Sequence, residues 1–151
     1  MIRLGRGFEV VKPSCRKTKG EVKLPVRGSK RAMAYDFFAN EEYVVEDGET
    51  AKIWTDVKAY MRHKEGLVLN IRSSMGGIFV LANTQGWIDS DYYENDKNDG
   101  NIGIFLTNIS GKTQIIRKGD RVAQGMFTRY LVARNGNTNH TRKGGFGSTG
   151  K

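Results

Sequence analysis

The residues best suited to chemistry lie in the stretch Asn83 to Tyr92, which reads Asn-Thr-Gln-Gly-Trp-Ile-Asp-Ser-Asp-Tyr. An apolar run leads into a glycine turn, after which two carboxylates, Asp89 and Asp91, stand two positions apart. Residues i and i+2 of an extended strand point to the same side, so the two carboxylates can share one face. A carboxylate emerging from an apolar strand costs free energy unless it is hydrogen-bonded, paired or used in a reaction. The stretch is therefore either an acidic turn or a catalytic segment, and the rest of the chain decides between them.

Three further segments carry weaker signals of the same kind. The run from Ala32 to Ala39 sets Asp36 among aromatic residues. Arg72-Ser73-Ser74 places a guanidinium and two hydroxyls after a buried-strand pattern, and Gly119 to Gln124 is a Gly-Asp turn before another strand. Each segment alone is also what an ordinary turn looks like.

The last residues, 135–151, are almost free of apolar side chains and rich in glycine. A segment of this composition cannot offset its own ordering entropy, so we expect a mobile tail. Its glycines would let backbone N–H groups approach phosphate oxygens, Ser148 and Thr149 can donate hydrogen bonds, and Arg142 supplies charge. Phe146 is suited to stacking on a base.

The totals exclude several classes of protein. A chain of 151 residues suits one domain, and its one cysteine allows no internal disulfide. No run approaches the roughly 18 apolar residues of a membrane span, and the first residues do not form a signal-peptide pattern. We therefore expect a soluble, cytoplasmic protein without a membrane association. His63 and His140 are distant in the sequence and Cys15 has no partner at ligand spacing, so no zinc site is expected. A Ser-His-Asp nucleophilic triad is poorly supported, because His63 lies in a charged run and His140 in the tail.

The charge of +9 is concentrated at the two ends of the chain. Residues 1–31 carry ten Lys and Arg against two acidic residues, and residues 134–151 carry four basic residues and no acid. The middle of the chain has eleven basic and fourteen acidic residues. The basic ends are either solvated tails or contacts to an anion, which would be a nucleic-acid backbone or a small polyphosphate.

Short strand patterns recur every eight to twelve residues, and no long helical period is present, which is typical of an all-β sandwich or barrel. Ala51, Ile53, Thr55 and Val57 alternate with more polar neighbours, which include Asp56, so a half-buried strand is predicted there. The segment from Tyr43 to Val57, with its Glu-Asp-Gly-Glu turn, is predicted to form a hairpin. The domain should span residues 1–134 and include a basic segment at 1–31. The flexible tail should span residues 135–151.

Taken together and in this order, the five segments resemble the motifs of the trimeric deoxyuridine triphosphate nucleotidohydrolase (dUTPase) family over residues 24–150. The first motif is similar to Ala32–Ala39, the second to Arg72-Ser73-Ser74, the third to Asn83–Tyr92, the fourth to Gly119–Gln124 and the fifth to Arg142–Gly150. The third and fifth are the specific ones.

The resemblance implies a jelly-roll-like β fold in a three-fold homotrimer. It places active sites between subunits, with the carboxyl-terminal tail of one chain closing a neighbour's site. The implied reaction is the hydrolysis of dUTP to dUMP and pyrophosphate, which limits uracil in DNA and supplies dUMP. The implied cofactor is Mg²⁺, held through the triphosphate and waters rather than by direct protein ligands.

The resemblance also implies roles for single residues. Asp89 would activate the attacking water, and Asp36 would help to hold that water and Arg72. Tyr92 would lie under the deoxyribose and leave no room for a 2′-hydroxyl. The implied substrate-binding residues are Arg72, Ser73, Ser74 and Gln124 for the phosphates, Asn83, Gly86 and Ile88 for the uracil, and Arg142, Phe146, Gly147, Ser148 and Thr149 in the tail.

The sequence departs from the family pattern in four places, one of which is Ile71, which precedes Arg72 where proline is common. Ala34 replaces the usual glycine, and residues 93–100 look like an insertion after Tyr92. Arg142 lies one residue nearer Phe146 than usual, which leaves Lys143 or Arg134 as alternative ligands of the outer phosphate.

Two other functions fit parts of the sequence. A dCTP deaminase-type enzyme also has an Arg-Ser-Ser turn and a similar acidic strand, but the Asp-Ser-Asp-Tyr continuation and the glycine-rich tail favour hydrolysis. A nucleic-acid-binding β module with basic arms would account for the charge of residues 1–31.

Overall fold

The computed structural model describes residues 5–150, so the first four residues of the basic segment and Lys151 of the tail lie outside it. The described chain forms twelve strands, three 3₁₀ turns and no α-helix. The strands are β1 Gly7–Val10, β2 Val26–Arg27, β3 Tyr35–Phe38, β4 Tyr43–Val45, β5 Thr50–Trp54, β6 Val57–Tyr60, β7 Glu65–Asn70, β8 Phe79–Leu81, β9 Gly86–Asp89, β10 Gly103–Asn108, β11 Gln114–Ile116 and β12 Arg121–Arg129. The turns are Pro13–Cys15, Ser73–Met75 and Ser90–Tyr92. The predicted all-β class is confirmed.

The largest sheet has five antiparallel strands in the order β2-β3-β12-β7-β9. The long strand β12 lies in its middle and pairs with β3 on one side and β7 on the other. Leu67 and Leu69 of β7 and Phe37 of β3 point into the core and are buried. This sheet carries Asp36, Gln124 and Asp89, so its register decides where those side chains stand.

A three-stranded sheet, β5-β10-β8, supplies the other main part of the core. Ile104 and Leu106 alternate inward along β10, as the two-residue period predicts. Two small sheets, β1-β6 and β4-β11, complete the strand pairing of residues 5–150. Among these residues no closed barrel forms.

The predicted hairpin over Tyr43–Val57 is wrong, although its turn is present. Strand β4 pairs with β11 and β5 pairs with β10, so the two strands belong to different sheets. Asn108 explains the separation, because its backbone N–H donates to Glu49 and its carbonyl accepts from Gly48. Its side-chain amide also donates to the carbonyl of Val45. The turn closes through the Glu49 N–H and the Glu46 carbonyl, but its remaining backbone groups are held at the end of β10 instead of by a pairing of β4 with β5.

Asp56 was expected on the polar side of its strand but is fully buried. Its carboxylate accepts hydrogen bonds from the backbone N–H groups of Lys17 and Thr18, from the Thr18 hydroxyl and from the Asn101 side chain. Arg16 adds an ion pair at 3.4 Å. Burial acts to raise the pKa of Asp56, but these hydrogen bonds outweigh it, and the pKa lies below its usual value. A buried carboxylate is tolerated because it is fully paired.

Part of the basic amino-terminal segment is thus bound to the body of the domain. Arg16 and Lys17 lie against Asp56, and Arg6 donates two hydrogen bonds to the buried carboxylate of Glu65. The backbone N–H of Lys12 donates to Asp99. These contacts give the segment a structural use that does not need a nucleic acid. Within residues 5–150 no helix has the length and apolar character needed to span a membrane.

Candidate active site

A pocket of about 340 Å³ opens where the ends of β8 and β9 face the strand β10 and the carboxyl-terminal tail. We call it the Asp89 pocket. Its floor is apolar and its rim carries polar groups. It is lined by Leu69, Leu81, Ala82, Asn83, Gly86, Trp87, Ile88, Asp89, Tyr92, Gly103, Phe105, Arg142, Gly145 and Phe146. Seven residues predicted from the third and fifth motifs therefore meet in one place.

The acidic pair stands where β9 ends. Asp89 is the last residue of the strand and pairs with Gly66 of β7, and Asp91 lies in the 3₁₀ turn that follows. Both carboxylates are more than half exposed, so neither bears the cost of burial. Arg142 from the tail bonds to Asp89 and donates through Nε to Asp91 at 2.9 Å. The two carboxylates therefore lie close enough to share one cationic partner at the mouth of the pocket.

The approach to the acidic pair is a tight turn between β8 and β9. Thr84 adopts a left-handed conformation with φ of 62°, and its hydroxyl donates to the carbonyl of Asn83. Gly86 is buried directly on Leu69, because a Cβ atom at Gly86 would stand 3.0 Å from the Leu69 Cβ. This close packing fixes the turn, whose residues Asn83 and Gly86 line the pocket.

Tyr92 is 6% exposed and forms one wall of the pocket. Its hydroxyl donates to the backbone carbonyl of Asn101 at 2.5 Å and accepts from the Asn98 side chain at 2.8 Å. Burial raises the pKa of Tyr92, and the Asn98 hydrogen bond and the charge of Arg142 oppose this only in part. The ring is neutral and held at both ends, which suits a rigid wall.

The tail lies over the pocket of its own chain in this structure. Gly145 packs closely on the Tyr92 ring, since a Cβ atom at Gly145 would be 2.7 Å from a ring carbon. Phe146 stacks on Phe105 with ring centroids 5.1 Å apart and planes 8° from parallel, and it meets Trp54 edge-on. Phe146 is nevertheless 65% exposed, so one face of its ring remains open for a further stacking partner.

The remaining tail residues lie outside the Asp89 pocket lining. The Ser148 hydroxyl donates to the carbonyl of Gly144 at 2.7 Å, which closes a small turn. Gly147 has a φ of 92°, a conformation that favours glycine. Thr149 is exposed and Lys143 points to solvent.

A second cavity, of about 470 Å³, collects the residues of the first, second and fourth motifs. We call it the Arg72 cavity. Asp36, Arg72 and Gln124 all line it. The buried carboxylate of Asp36 accepts from Arg72 Nε at 3.1 Å and lies 3.5 Å from Arg121 Nε. Gln124 donates to the carbonyl of Ile71.

The serines of the second motif follow Arg72 in a single 3₁₀ turn, Ser73–Met75. Ser74 lies 3.5 Å from the Arg72 guanidinium. Asp36 thus orients the arginine, and the Ser74 hydroxyl stands beside the same group.

One chain does not bring these two groups together. Asp89 lies opposite Gly66, and Arg72 lies six residues further along the same extended segment. At about 3.3 Å per residue the two backbone positions are roughly 20 Å apart. The Arg72 side chain turns toward Asp36, on the opposite side of β7 from β9.

Several pocket residues escaped the sequence analysis. Phe105 lies on the face of β10 opposite the buried Ile104 and Leu106, so an aromatic residue on the outward side of an alternating strand was the available signal. Trp54 and Asn98 lie behind the pocket wall, against Phe146 and Tyr92, and gave no comparable pattern because their positions depend on which segments meet in space. Among residues 5–150, no cluster of three or more His, Cys, Asp or Glu side chains is arranged to hold a metal ion.

Comparison with known proteins adds to this geometry. Residues 20–150 match the dUTPase family. The chain is 40% identical to the deoxyuridine 5'-triphosphate nucleotidohydrolase of Lactococcus lactis, over 96% of this chain and 97% of that protein. The fold is similar to the crystal structure of the dUTPase from Streptococcus mutans, with a TM-score of 0.75, 35% identity, and coverage of 85% of this chain and 99% of that one. The fold is also similar to that of a D95N mutant of the dUTPase from a Staphylococcus aureus phage, which is described with a structural Mg(II) ion. The TM-score is 0.65 and the identity 21%, over 89% of this chain and 97% of that one.

Proposed function

The chain belongs to the dUTPase family, and from this premise we propose that the Asp89 pocket is where it hydrolyses dUTP to dUMP and pyrophosphate. The observation that carries the assignment is the meeting of Asn83, Asp89, Tyr92 and the tail residue Phe146 around one pocket. These residues come from two motifs more than fifty positions apart in the sequence. Together they supply a general base, a ring to lie under the sugar and a ring to stack on the nucleobase of one nucleotide.

Asp89 is proposed to accept a hydrogen bond from the attacking water and to take its proton as the oxygen bonds to the α-phosphorus. The bond between the α-phosphorus and the oxygen bridging to the β-phosphorus breaks, and pyrophosphate leaves with that oxygen. Phosphoryl transfer needs an in-line nucleophile and charge neutralisation more than covalent help. A carboxylate is a weak base at neutral pH, so its placement supplies much of the effect.

The uracil is proposed to lie against the turn from Asn83 to Gly86, with Ile88 packed beside it. Tyr92 would lie under the deoxyribose, where a 2′-hydroxyl meets the ring. Phe146 would stack on the uracil through the open face of its ring, because Phe105 already covers the other face. Aromatic stacking of this kind tolerates any nucleobase, so selectivity for uracil must come from the turn between Asn83 and Gly86.

The triphosphate is proposed to contact Arg72, Ser73, Ser74 and Gln124 from another copy of the chain. The separation of roughly 20 Å between Asp89 and Arg72 within one chain supports this, because a single chain cannot place both at one phosphorus atom. A homotrimer with sites between subunits joins the two groups. We further propose that the tail, which supplies Arg142, Gly147, Ser148 and Thr149 to the outer phosphates, is exchanged in that assembly and makes the contacts seen here at the equivalent pocket of a neighbouring chain.

Mg²⁺ is proposed as the cofactor, held by phosphate oxygens and water. The donor set fits this arrangement, because Mg²⁺ usually keeps several waters and binds through substrate phosphates rather than in a protein cage. The exposed carboxylates of Asp89 and Asp91 lie where they can accept hydrogen bonds from such waters. When bound, the ion neutralises charge on the triphosphate.

The test is pyrophosphate release from dUTP, with dCTP, dTTP and UTP alongside, for wild type and Asp89→Asn. We expect hydrolysis of dUTP alone, reduced by about 10²- to 10⁴-fold in the variant. Ammonia release from dCTP would assign the chain to the deaminase type instead. The nucleic-acid-binding module would be favoured if no nucleotide were hydrolysed and if the protein bound long DNA in a salt-sensitive way that persists in Asp89→Asn.

A further inference from the structure

The hydroxyl of Tyr92 is held by the segment 93–100, which we call the 93–100 loop. Asn98 of this loop donates to the hydroxyl at 2.8 Å, and the hydroxyl donates in turn to the carbonyl of Asn101. The loop also binds the backbone of the same tyrosine, because the Asn95 side chain donates to the Tyr92 carbonyl at 2.7 Å. The wall of the pocket is thus fixed at its backbone and at its far tip.

The direction of the Asn98 contact follows from its other partners. The Asn98 Oδ1 atom accepts from the backbone N–H of Gly100 at 3.0 Å and from the Asn95 side-chain amide at 2.7 Å. A backbone N–H can only donate, so the atom facing it must be the oxygen. The Nδ2 group therefore faces Tyr92 and donates. The Asn101 carbonyl can only accept, so the tyrosine hydroxyl has one defined donor and one defined acceptor.

The 93–100 loop is itself anchored on the body of the domain. Lys58, which is buried on β6, donates to Asp99 at 2.9 Å and to Glu94 at 3.2 Å. The backbone N–H of Lys12 also donates to Asp99, at 2.7 Å. Asn98 lies between these fixed points, so its amide reaches the tyrosine from a held position rather than from a free loop.

We propose that Asn98 is a positioning residue that sets the discrimination between deoxyribose and ribose by holding the Tyr92 ring upright. This rests on the proposed function, in which Tyr92 lies under the sugar. A tyrosine held only at its Cβ atom can tilt to make room for a 2′-hydroxyl. Two hydrogen bonds at the tip of the ring oppose that tilt, and one of them comes from Asn98.

The experiment measures kcat/KM for dUTP and UTP in wild type, Asn98→Ala, Asn98→Asp, Tyr92→Phe and the double variant Asn98→Ala with Tyr92→Phe. The aspartate keeps the oxygen that Asn95 and Gly100 need and replaces the donor by an acceptor. Because the tyrosine hydroxyl has one proton, it can then donate to the new carboxylate or to the Asn101 carbonyl but not to both, so one of the two hydrogen bonds at the ring tip is lost while the loop keeps its own contacts. Loss of one hydrogen bond predicts a rise of about three- to tenfold in the ratio of UTP to dUTP activity for both single Asn98 variants. In the Tyr92→Phe background, Asn98→Ala should change the ratio no further.

Asp96→Ala is the matched control, since Asp96 is an exposed residue of the same loop, and it should leave the ratio unchanged. The inference is overturned if both Asn98 variants lower the two activities equally, or if Asn98→Ala still changes the ratio in Tyr92→Phe. An equal change in Asp96→Ala would overturn it as well. Two further results distinguish failure of this inference from failure of the proposed function. A wild-type protein that is inactive on dUTP would refute the proposed function. An unchanged ratio of UTP to dUTP activity in Tyr92→Ala would refute the role of Tyr92 as the wall beneath the sugar.

Discussion

The guanidinium of Arg142 is bonded to the carboxylate of Asp89, the residue proposed to activate water. The same group donates to Asp91, so one tail cation pairs with both carboxylates and offsets one of their two charges. A triphosphate offers the arginine more negative charge than two exposed carboxylates do. Binding of substrate should therefore draw Arg142 from the acidic pair to the phosphates and leave Asp89 available for the water.

Replacing Arg142 tests which basic residue of the tail binds the outer phosphate. We expect Arg142→Ala to lower kcat/KM for dUTP by about 10- to 100-fold, because a hydrogen-bonded charge contact is lost. Lys143→Ala, at the neighbouring exposed position, should have little effect. Steady-state kinetics on both variants decide the matter. The reverse pattern would assign the phosphate to Lys143 and leave Arg142 as a partner of the carboxylates only.

Gly145 and Gly144 make a matched pair for testing whether the tail must pack on Tyr92. An added Cβ at Gly145 meets the tyrosine ring at 2.7 Å, and that ring is held in place. At Gly144 the nearest atom is Cδ of Lys97, at the same distance but on an exposed, flexible side chain that can move aside. We expect Gly145→Ala to lower kcat/KM for dUTP by about tenfold through overpacking and Gly144→Ala to have a much smaller effect. Equal losses in the two variants would show that the tail does not close on this ring.

The sequence alone predicts the strands whose residues alternate, and the third motif around Asp89, because these depend on local order. It mispredicts Asp56, since the alternating pattern cannot show that Thr18, about forty positions away, will come back to bind a buried carboxylate. The hairpin over Tyr43–Val57 fails for the same reason, because Asn108 from a distant strand takes up the hydrogen bonds of the turn.

The candidate site shows a similar division. Asp36, Arg72 and Gln124 were grouped by resemblance, and the sheet register places them together. Phe105, in contrast, reaches the Asp89 pocket, and Asn98 its wall residue Tyr92, only because the fold brings together segments that the sequence pattern does not connect.

Glu65 should make the stability of the fold depend on pH in the acidic range. Hydrogen bonds from Arg6 lower its pKa to about 2 from the usual 4.5, against the opposing effect of burial, and the Arg62 backbone N–H adds to the lowering. Its ionised form therefore stabilises the fold fully above pH 4.5, and this contribution is lost as the pH falls toward 2. Glu65→Gln should lower the melting temperature at pH 7 by a few degrees, and the difference from wild type should shrink as the pH falls.

The control for that experiment is Glu42→Gln. Glu42 also pairs with an arginine, Arg117, at 3.3 Å, but both side chains are more than half exposed. An exposed pair contributes little to stability, so the variant should melt like wild type at every pH. If Glu65→Gln followed the wild-type curve as closely as Glu42→Gln does, the ion pair with Arg6 would not stabilise the fold.

Mixing two inactive variants tests whether the active site forms between chains. Asp89→Asn removes the proposed base from the Asp89 pocket, and Arg72→Ala removes the phosphate ligand roughly 20 Å away on the same chain. When the two variants are refolded together in equal amounts, a site that takes Asp89 from one chain and Arg72 from another is intact in about a quarter of cases. Pyrophosphate release from dUTP should then recover to about a quarter of the wild-type rate. Each variant refolded alone is the control and should stay inactive, and a mixture as inactive as its parents would place both residues at a site within one chain.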